Sequence, residues 1–278
     1  MIKSCVIGWP IRHSRSPIIH GYWLKKYKID GSYDRKPVEP NALQDFIAGL
    51  TSAGFTGCNV TIPHKEAVFD LVKADDDTTR RIGAVNTVYV RDGLTHGTNT
   101  DGEGFIRSLL QSAPDFSIVH KRVMVLGAGG AALAIVNALL EQGAREVAVA
   151  NRTIERAVDL RSRFGNRITP ISWEKIADNL SECSLLVNTT SLGMTGQPEL
   201  DLDLRRLSDR AVVSDIVYTP LRTQLLKNAA DRGNTVVEGL GMLLHQAVRG
   251  FSLWFGTIPE VTPELYDIVA RDIDPAHQ

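Results

Sequence analysis

Short runs of apolar, β-branched residues, separated by stretches of helical period, mark the chain along its length. Ser4 to Gly8 reads as a strand that stops at glycine. Residues 17–27 read as a helix, with Ser16 as N-cap and Pro17 at the first helical position. Residues 57–62 alternate apolar and polar, the period of a strand, and Pro63 then opens a helix predicted through Val72. Residues 85–90 and 94–98 flank Arg91-Asp92-Gly93 and predict a β-hairpin turning at Asp-Gly. Asp101 is a candidate N-cap for a helix to about Gln111.

The pattern changes after Ser112-Ala-Pro-Asp115. Residues 121–126 form a β-branched apolar strand, and a glycine-rich turn then opens a long helix to Gln142, closed by Gly143. Further strands are predicted at 147–150, 184–188, 211–217 and 235–237, with helices between them. That alternation predicts a doubly wound parallel sheet. Gly239-Leu-Gly241 opens a helix over 242–255 that belongs to no further βαβ unit, and a last helix covers 263–273. The expected fold is α/β and two-lobed. A Rossmann-like nucleotide domain takes residues 102–239. An α/β substrate-binding domain takes residues 1–101 and is completed by C-terminal helices in 240–278. A cleft between two such lobes is a common place for a small-molecule site.

Composition narrows the choice of partners. Lys plus Arg total 31 against 32 Asp plus Glu, so net charge gives no reason to expect nucleic acid or an anionic membrane. No apolar run approaches bilayer-spanning length, and the apolar stretch at 5–7 is too short for a secretory leader. Cys5, Cys58 and Cys183 lie far apart without metal-ligand spacing, so neither a disulfide framework nor a metal is expected, and cytoplasmic localisation is.

Gly127-Ala128-Gly129-Gly130-Ala131-Ala132 follows a strand and begins a helix, the context a dinucleotide pyrophosphate site needs. The first glycine permits a tight turn, the second a close backbone approach, and the small residue at 132 close helix packing. The phosphate would meet unpaired N–H groups at a helix N-terminus. An NAD site places an acid at the end of the second strand to hold a ribose hydroxyl. Here Asn151-Arg152-Thr153 stands there, with Arg156 one turn on. Two guanidinium forks suit a phosphate dianion and point to NADP.

The N-terminal half gathers Ser14, Ser16, Asn59, Thr61, Lys65, Asn86 and Asp101 in loops beside strands. Hydroxyls, amides, an ammonium and a carboxylate suit a substrate with several hydroxyls and a carboxylate. Singly, Ser16, Thr61 and Asp101 could all be N-caps and Lys65 a surface lysine. Together with their neighbours they resemble the shikimate dehydrogenase family. The matching blocks are Gly8-x-Pro10-Ile11-x-His13-Ser14-x-Ser16-Pro17-x-x-His20, Gly57-x-Asn59-Val60-Thr61-x-Pro63-x-Lys65, Ile82 to Val88, and Gly97-x-Asn99-Thr100-Asp101-Gly102-x-Gly104. They continue with residues 127–131, Asn151-Arg-Thr153, residues 188–194, Asp215 to Pro220 and residues 239–246. Gly21 departs from the pattern, where the family often has asparagine.

The resemblance implies reversible NADPH-dependent reduction of 3-dehydroshikimate to shikimate, in aromatic amino-acid biosynthesis. It implies Lys65 and Asp101 as the catalytic pair. It implies Ser14, Ser16, Asn59, Thr61, Asn86, Tyr218 and Gln246 as substrate-binding residues. Residues Gly127, Ala128, Gly129, Gly130, Ala131, Asn151, Arg152, Thr153 and Arg156 would hold NADP, with Ile216, Gly239 and Met242 at its nicotinamide end. A small molecule is the expected partner, for a monomer or homodimer. A relative that takes quinate, or accepts a broader range of substrate or cofactor, would use the same residues. A non-catalytic NADP-sensing protein would be expected to lack the lysine or the aspartate, and both are present.

Overall fold

A computed structural model describes residues 1–277. The chain divides into two compact units: Met1–Asp101 with Gln246–Val269, and Gly102–His245 with the residues from Ala270 on. The chain was expected to return to the first unit at residue 240. The division instead falls at Gln246, and the last helix is itself divided at Ala270.

The first unit is built on β1 (Ile2–Gly8), β2 (Gly31–Pro37), β3 (Phe55–Val60), β4 (Lys73–Ala74), β5 (Thr87–Arg91) and β6 (Leu94–Thr98), in the order β2-β1-β3-β5-β6-β4. Helices α1 (Ser16–Lys26), α2 (Leu43–Ala48), α3 (Lys65–Phe69) and α4 (Asp77–Ile82) connect them. β1 runs parallel to β2 and β3, whereas β5 is antiparallel to β3 and β6. The β5–β6 turn has Asp92 at φ 52° and Gly93 at φ 75°. Both are left-handed, as the tightest hairpin turn requires, and Asp-Gly supplies that. Cys5, Ile7, Cys58, Val60 and Val88 face one core with Leu43, Ile47 and Val68.

Ser16 does not cap α1. The residue before the helix is Arg15, no side chain caps it, and Ser16 is already helical and buried. α3 is shorter than expected, beginning at Lys65 and ending at Phe69. Gly21 is exposed, with open space where a Cβ would stand, so the departure there disturbs no packing.

The second unit holds β7 (Arg122–Leu126), β8 (Glu146–Asn151), β9 (Ile168–Ser172), β10 (Leu185–Asn188), β11 (Val212–Asp215) and β12 (Thr235–Val237). Their order is β12-β11-β10-β7-β8-β9, and every neighbouring pair is parallel. α5 (Asp101–Ser112), α6 (Gly130–Glu141), α7 (Ile154–Phe164) and α8 (Gln224–Asp231) join or flank these strands. The order reverses beside β7, so the turn after β7 sits at the switch point where such sheets bind ligands. β7 is buried at all five positions, as a central parallel strand should be. α9 (Gly239–Phe255) and α10 (Pro263–Ile273) each cross the division between the units.

Candidate active site

β1 and β3 lie in register and end side by side, with Ile7 opposite Val60. The loops after them are pressed together: a Cβ at Gly8 would stand 2.7 Å from Thr61 Cγ2 and 3.0 Å from the Ile62 carbonyl. Lys65 follows as the first residue of α3, and its carbonyl accepts a hydrogen bond of 2.8 Å from the Val85 N–H. The Lys65 ammonium donates to Asp101 Oδ2 at 2.5 Å, and both side chains are largely buried. Asp101 does not cap a helix with its carboxylate. Its second oxygen, Oδ1, accepts from Asn86 Nδ2 at 2.8 Å.

Asn86 is the hub. Its amide nitrogen also reaches Thr100 Oγ1 at 2.9 Å and Gln246 Oε1 at 3.4 Å. Two hydrogens are shared among three acceptors. Asn86 Oδ1 accepts from the Thr100 N–H at 2.9 Å, which fixes the amide's orientation. Thr100 Oγ1 donates to the Gln246 carbonyl at 2.8 Å. Asn99 closes the turn, accepting from the Asp101 N–H at 3.0 Å and donating to the Ala84 carbonyl at 2.9 Å. Thr100 and Asn99 lie in a matching block without being expected site residues, and their structural work is between segments that sequence does not align.

Asn59 joins this network by donating to the Asn86 carbonyl and to Thr87 Oγ1, each at 3.2 Å. Tyr33 donates to Asn59 Oδ1 at 2.6 Å. Burial pushes the Tyr33 phenol well above its usual range, helped by Cys5 and Cys58. His20 stacks on Tyr33 with ring centroids 3.9 Å apart, and Trp23, Phe251 and Trp254 complete an aromatic enclosure. Burial, against a smaller opposing pull from Asn59, lowers the His20 pKa to about 3. His20 is therefore a neutral wall behind Asn59. Ser14 and Ser16 sit together, the Ser16 N–H donating to Ser14 Oγ at 3.3 Å.

The first unit thus links Lys65, Asp101, Asn86, Gln246 and Asn59 through hydrogen bonds. Tyr218 belongs to the second unit, half-buried in the loop after β11.

In the second unit, Gly127 has φ +106°, and a Cβ there would stand 2.6 Å from Thr189 Oγ1. Only glycine fits both constraints. Gly129 precedes α6 in extended conformation, and no side chain caps that helix or places an acid in its first turn. Open space lies where a Gly129 Cβ would stand. Uncovered N–H groups beneath an open approach fit a pyrophosphate. Thr153 precedes α7, and Asn151 Nδ2 donates to its carbonyl at 2.8 Å. Arg152 and Arg156 are exposed and form no ion pair among the described residues. Two unpaired guanidiniums at the end of β8 fit a ribose phosphate.

Gly239 packs on the backbone of Ile216 and Val217, where a Cβ would come within 2.6 Å of both, and Met242 lies in the same helix start. Behind Ile216, Asp215 is fully buried. It accepts from Asn188 Nδ2 at 2.9 Å, the Val217 N–H at 3.0 Å and Thr223 Oγ1 at 2.7 Å. Burial outweighs these donors and raises its pKa to about 6. Among the described residues no group of three His, Cys, Asp or Glu could hold a metal, and no helix is long and apolar enough to cross a membrane.

Comparison with known proteins points to one family. Residues 6–88 match the shikimate dehydrogenase substrate binding domain, 109–195 the shikimate / quinate 5-dehydrogenase family, and 239–263 the shikimate 5'-dehydrogenase C-terminal domain. A shikimate dehydrogenase (NADP(+)) of Rhodopseudomonas palustris is 52% identical over 272 residues, covering 98% of this chain and 97% of its own. The shikimate 5-dehydrogenase of Thermus thermophilus, solved with NADP(H) and shikimate, superposes with TM-score 0.86 at 35% identity over 98% of this chain and 100% of its own. A quinate dehydrogenase of Corynebacterium glutamicum, solved with NAD, reaches TM-score 0.88 at 29% identity, covering 96% of this chain and 98% of its own. With a relative 52% identical over 98% of this chain, the chain belongs to the shikimate dehydrogenase family.

Proposed function

We propose that this protein catalyses the reversible NADPH-dependent reduction of 3-dehydroshikimate to shikimate, a step of aromatic amino-acid biosynthesis. The ring acid is held by the first unit and NADP by the second. The observation that carries this reading is the buried Lys65–Asp101 contact tied to Asn86. NADP fits residues 127–131, Asn151, Arg152, Thr153 and Arg156, with Ile216, Gly239 and Met242 at its reactive end. When bound, it supplies or receives the hydride.

The chain's own residues handle the proton and the orientation. Lys65 donates a proton from Nζ to the ketone oxygen as negative charge develops there, and accepts it back in the oxidative direction. Asp101 holds the ammonium through Oδ2, while each carboxylate oxygen keeps a lone pair for a substrate hydroxyl. Asn86, Asn59, Thr61 and Gln246 offer amides and hydroxyls to the ring hydroxyls, and Ser14 with Ser16 receives the carboxylate. Cys5, Cys58 and Cys183 are unbridged buried thiols, which supports a reducing cytoplasm as the setting, for a monomer or homodimer.

The test is an initial-rate assay with shikimate or quinate crossed against NADP or NAD. Turnover confined to shikimate with NADP is the expected result. Quinate is the second substrate to try, since a quinate dehydrogenase shares the fold at TM-score 0.88. Quinate or NAD turnover would overturn the specificity and leave the chemistry. In the same assay Lys65→Ala should lower kcat by about 10²- to 10⁴-fold with KM little changed. A rise in KM at unchanged kcat would remove Lys65 from catalysis.

A further inference from the structure

Around Ser14 the chain carries an excess of positive charge that nothing in the reading above uses. Arg12, Arg15 and Arg35 surround it, although the whole protein has a formal net charge of −1. Several exposed arginines pair with acids, as in Arg205–Asp203, Arg107–Glu103 and Arg80–Asp77. Arg35 forms no ion pair among the described residues. It projects from the edge strand β2 and donates to the Ser14 carbonyl from both Nε, at 2.9 Å, and Nη2, at 2.6 Å. Two bonds to one oxygen fix the guanidinium plane against the serine loop. Tyr33, two residues earlier, lies on the same strand face and donates to Asn59. Asp34 is directed to the other face of β2, away from Arg35.

We propose that Arg35 is the fixed positive charge that makes the Ser14–Ser16 hydroxyl pair select a carboxylate over a neutral ring substituent. The proposal rests on the shikimate reading and adds to it a specificity-determining residue. Hydroxyls bind an acid and its ester alike, because both present acceptor oxygens. A guanidinium held beside them adds a Coulomb attraction that only the anion feels, and one that is screened by salt. A flexible lysine or a paired arginine would supply less of it.

The experiment compares shikimate with its methyl ester, each with NADP, for the unsubstituted protein, Arg35→Gln and Arg35→Lys, from low to high salt. Arg35→Gln should lower kcat/KM for shikimate about tenfold through KM, leave the ester's kcat/KM unchanged, and flatten the salt dependence seen with the acid. Arg35→Lys should recover part of the loss. Equal losses on acid and ester would mean that Arg35 only shapes the loop, and would overturn the proposal. So would an unchanged acid-to-ester ratio. No shikimate turnover by the unsubstituted protein would instead overturn the reading beneath it, a result the variants cannot mimic.

Discussion

At Gly57 the sheet of the first unit leaves no room for a side chain. A Cβ there would fall 2.1 Å from the Val88 carbonyl and 2.2 Å from Trp254 Nε1, the donor that bonds that carbonyl at 2.8 Å. Backbone and a buried indole cannot yield as a flexible side chain would. Gly57→Ala should therefore destabilise by at least the ~1–3 kcal/mol usual for overpacking, read as a lower urea midpoint. An unchanged midpoint would show that the indole can leave its hydrogen bond freely. The glycine was legible in sequence as a motif position, but its reason was not, because Trp254 lies far along the chain. The same separation hid Tyr33 and His20. Single residues on α1 and β2 gain their role by meeting Asn59 in space. Lys65, Asp101 and Asn86 were readable because motif blocks carry them, although nothing in the sequence placed Asn86 between Asp101 and Gln246.

Elements with strong periodicity appear where the sequence puts them, and weak ones do not announce themselves. β7, β8, α6 and α10 follow apolar runs or amphipathic stripes. β2 has polar or charged residues at most positions because it is an edge strand with one well-buried residue, Tyr33, and its alternation is lost. β9 closes the opposite edge of the other sheet and is equally faint. The β7–α6 turn permits a sharper test. Gly129 has backbone angles that alanine can adopt and open space around its missing Cβ. Gly129→Ala should keep the thermal midpoint of the free protein and weaken NADP binding by at least tenfold, because the added methyl occupies the approach of the pyrophosphate. Calorimetric titration beside a melting curve measures both. Undiminished NADP affinity would place the phosphates elsewhere.

Across the whole molecule two buried groups, one in each unit, answer acid with opposite signs. Asp215, in the second unit, has its pKa raised to about 6 from an ordinary 3.8. The folded state holds its proton more tightly, so this term stabilises fully below pH 4 and is lost as pH rises through 6. Its size is on the order of 3 kcal/mol. His20, in the first unit, has its pKa lowered to about 3 from 6.5. Its term is present above pH 6.5 and is lost as pH falls towards 3. Unfolding midpoints followed from pH 7 to 4 should thus fall less steeply in His20→Phe than in the unsubstituted protein, and more steeply in Asp215→Asn. Parallel profiles for all three would refute both assignments. The division of the chain has a consequence of another kind, in the order of synthesis. Residues 102–245, the larger part of the second unit, leave the ribosome as one continuous stretch. The first unit must wait, since Gln246 completes the contacts of Thr100, and Phe251 and Trp254 complete the enclosure around His20. Its strands are made well before the helix that completes them. Through that interval β3 and β5 stand without the indole that will bond Val88, and such incompletely packed strands are exposed to wrong pairing.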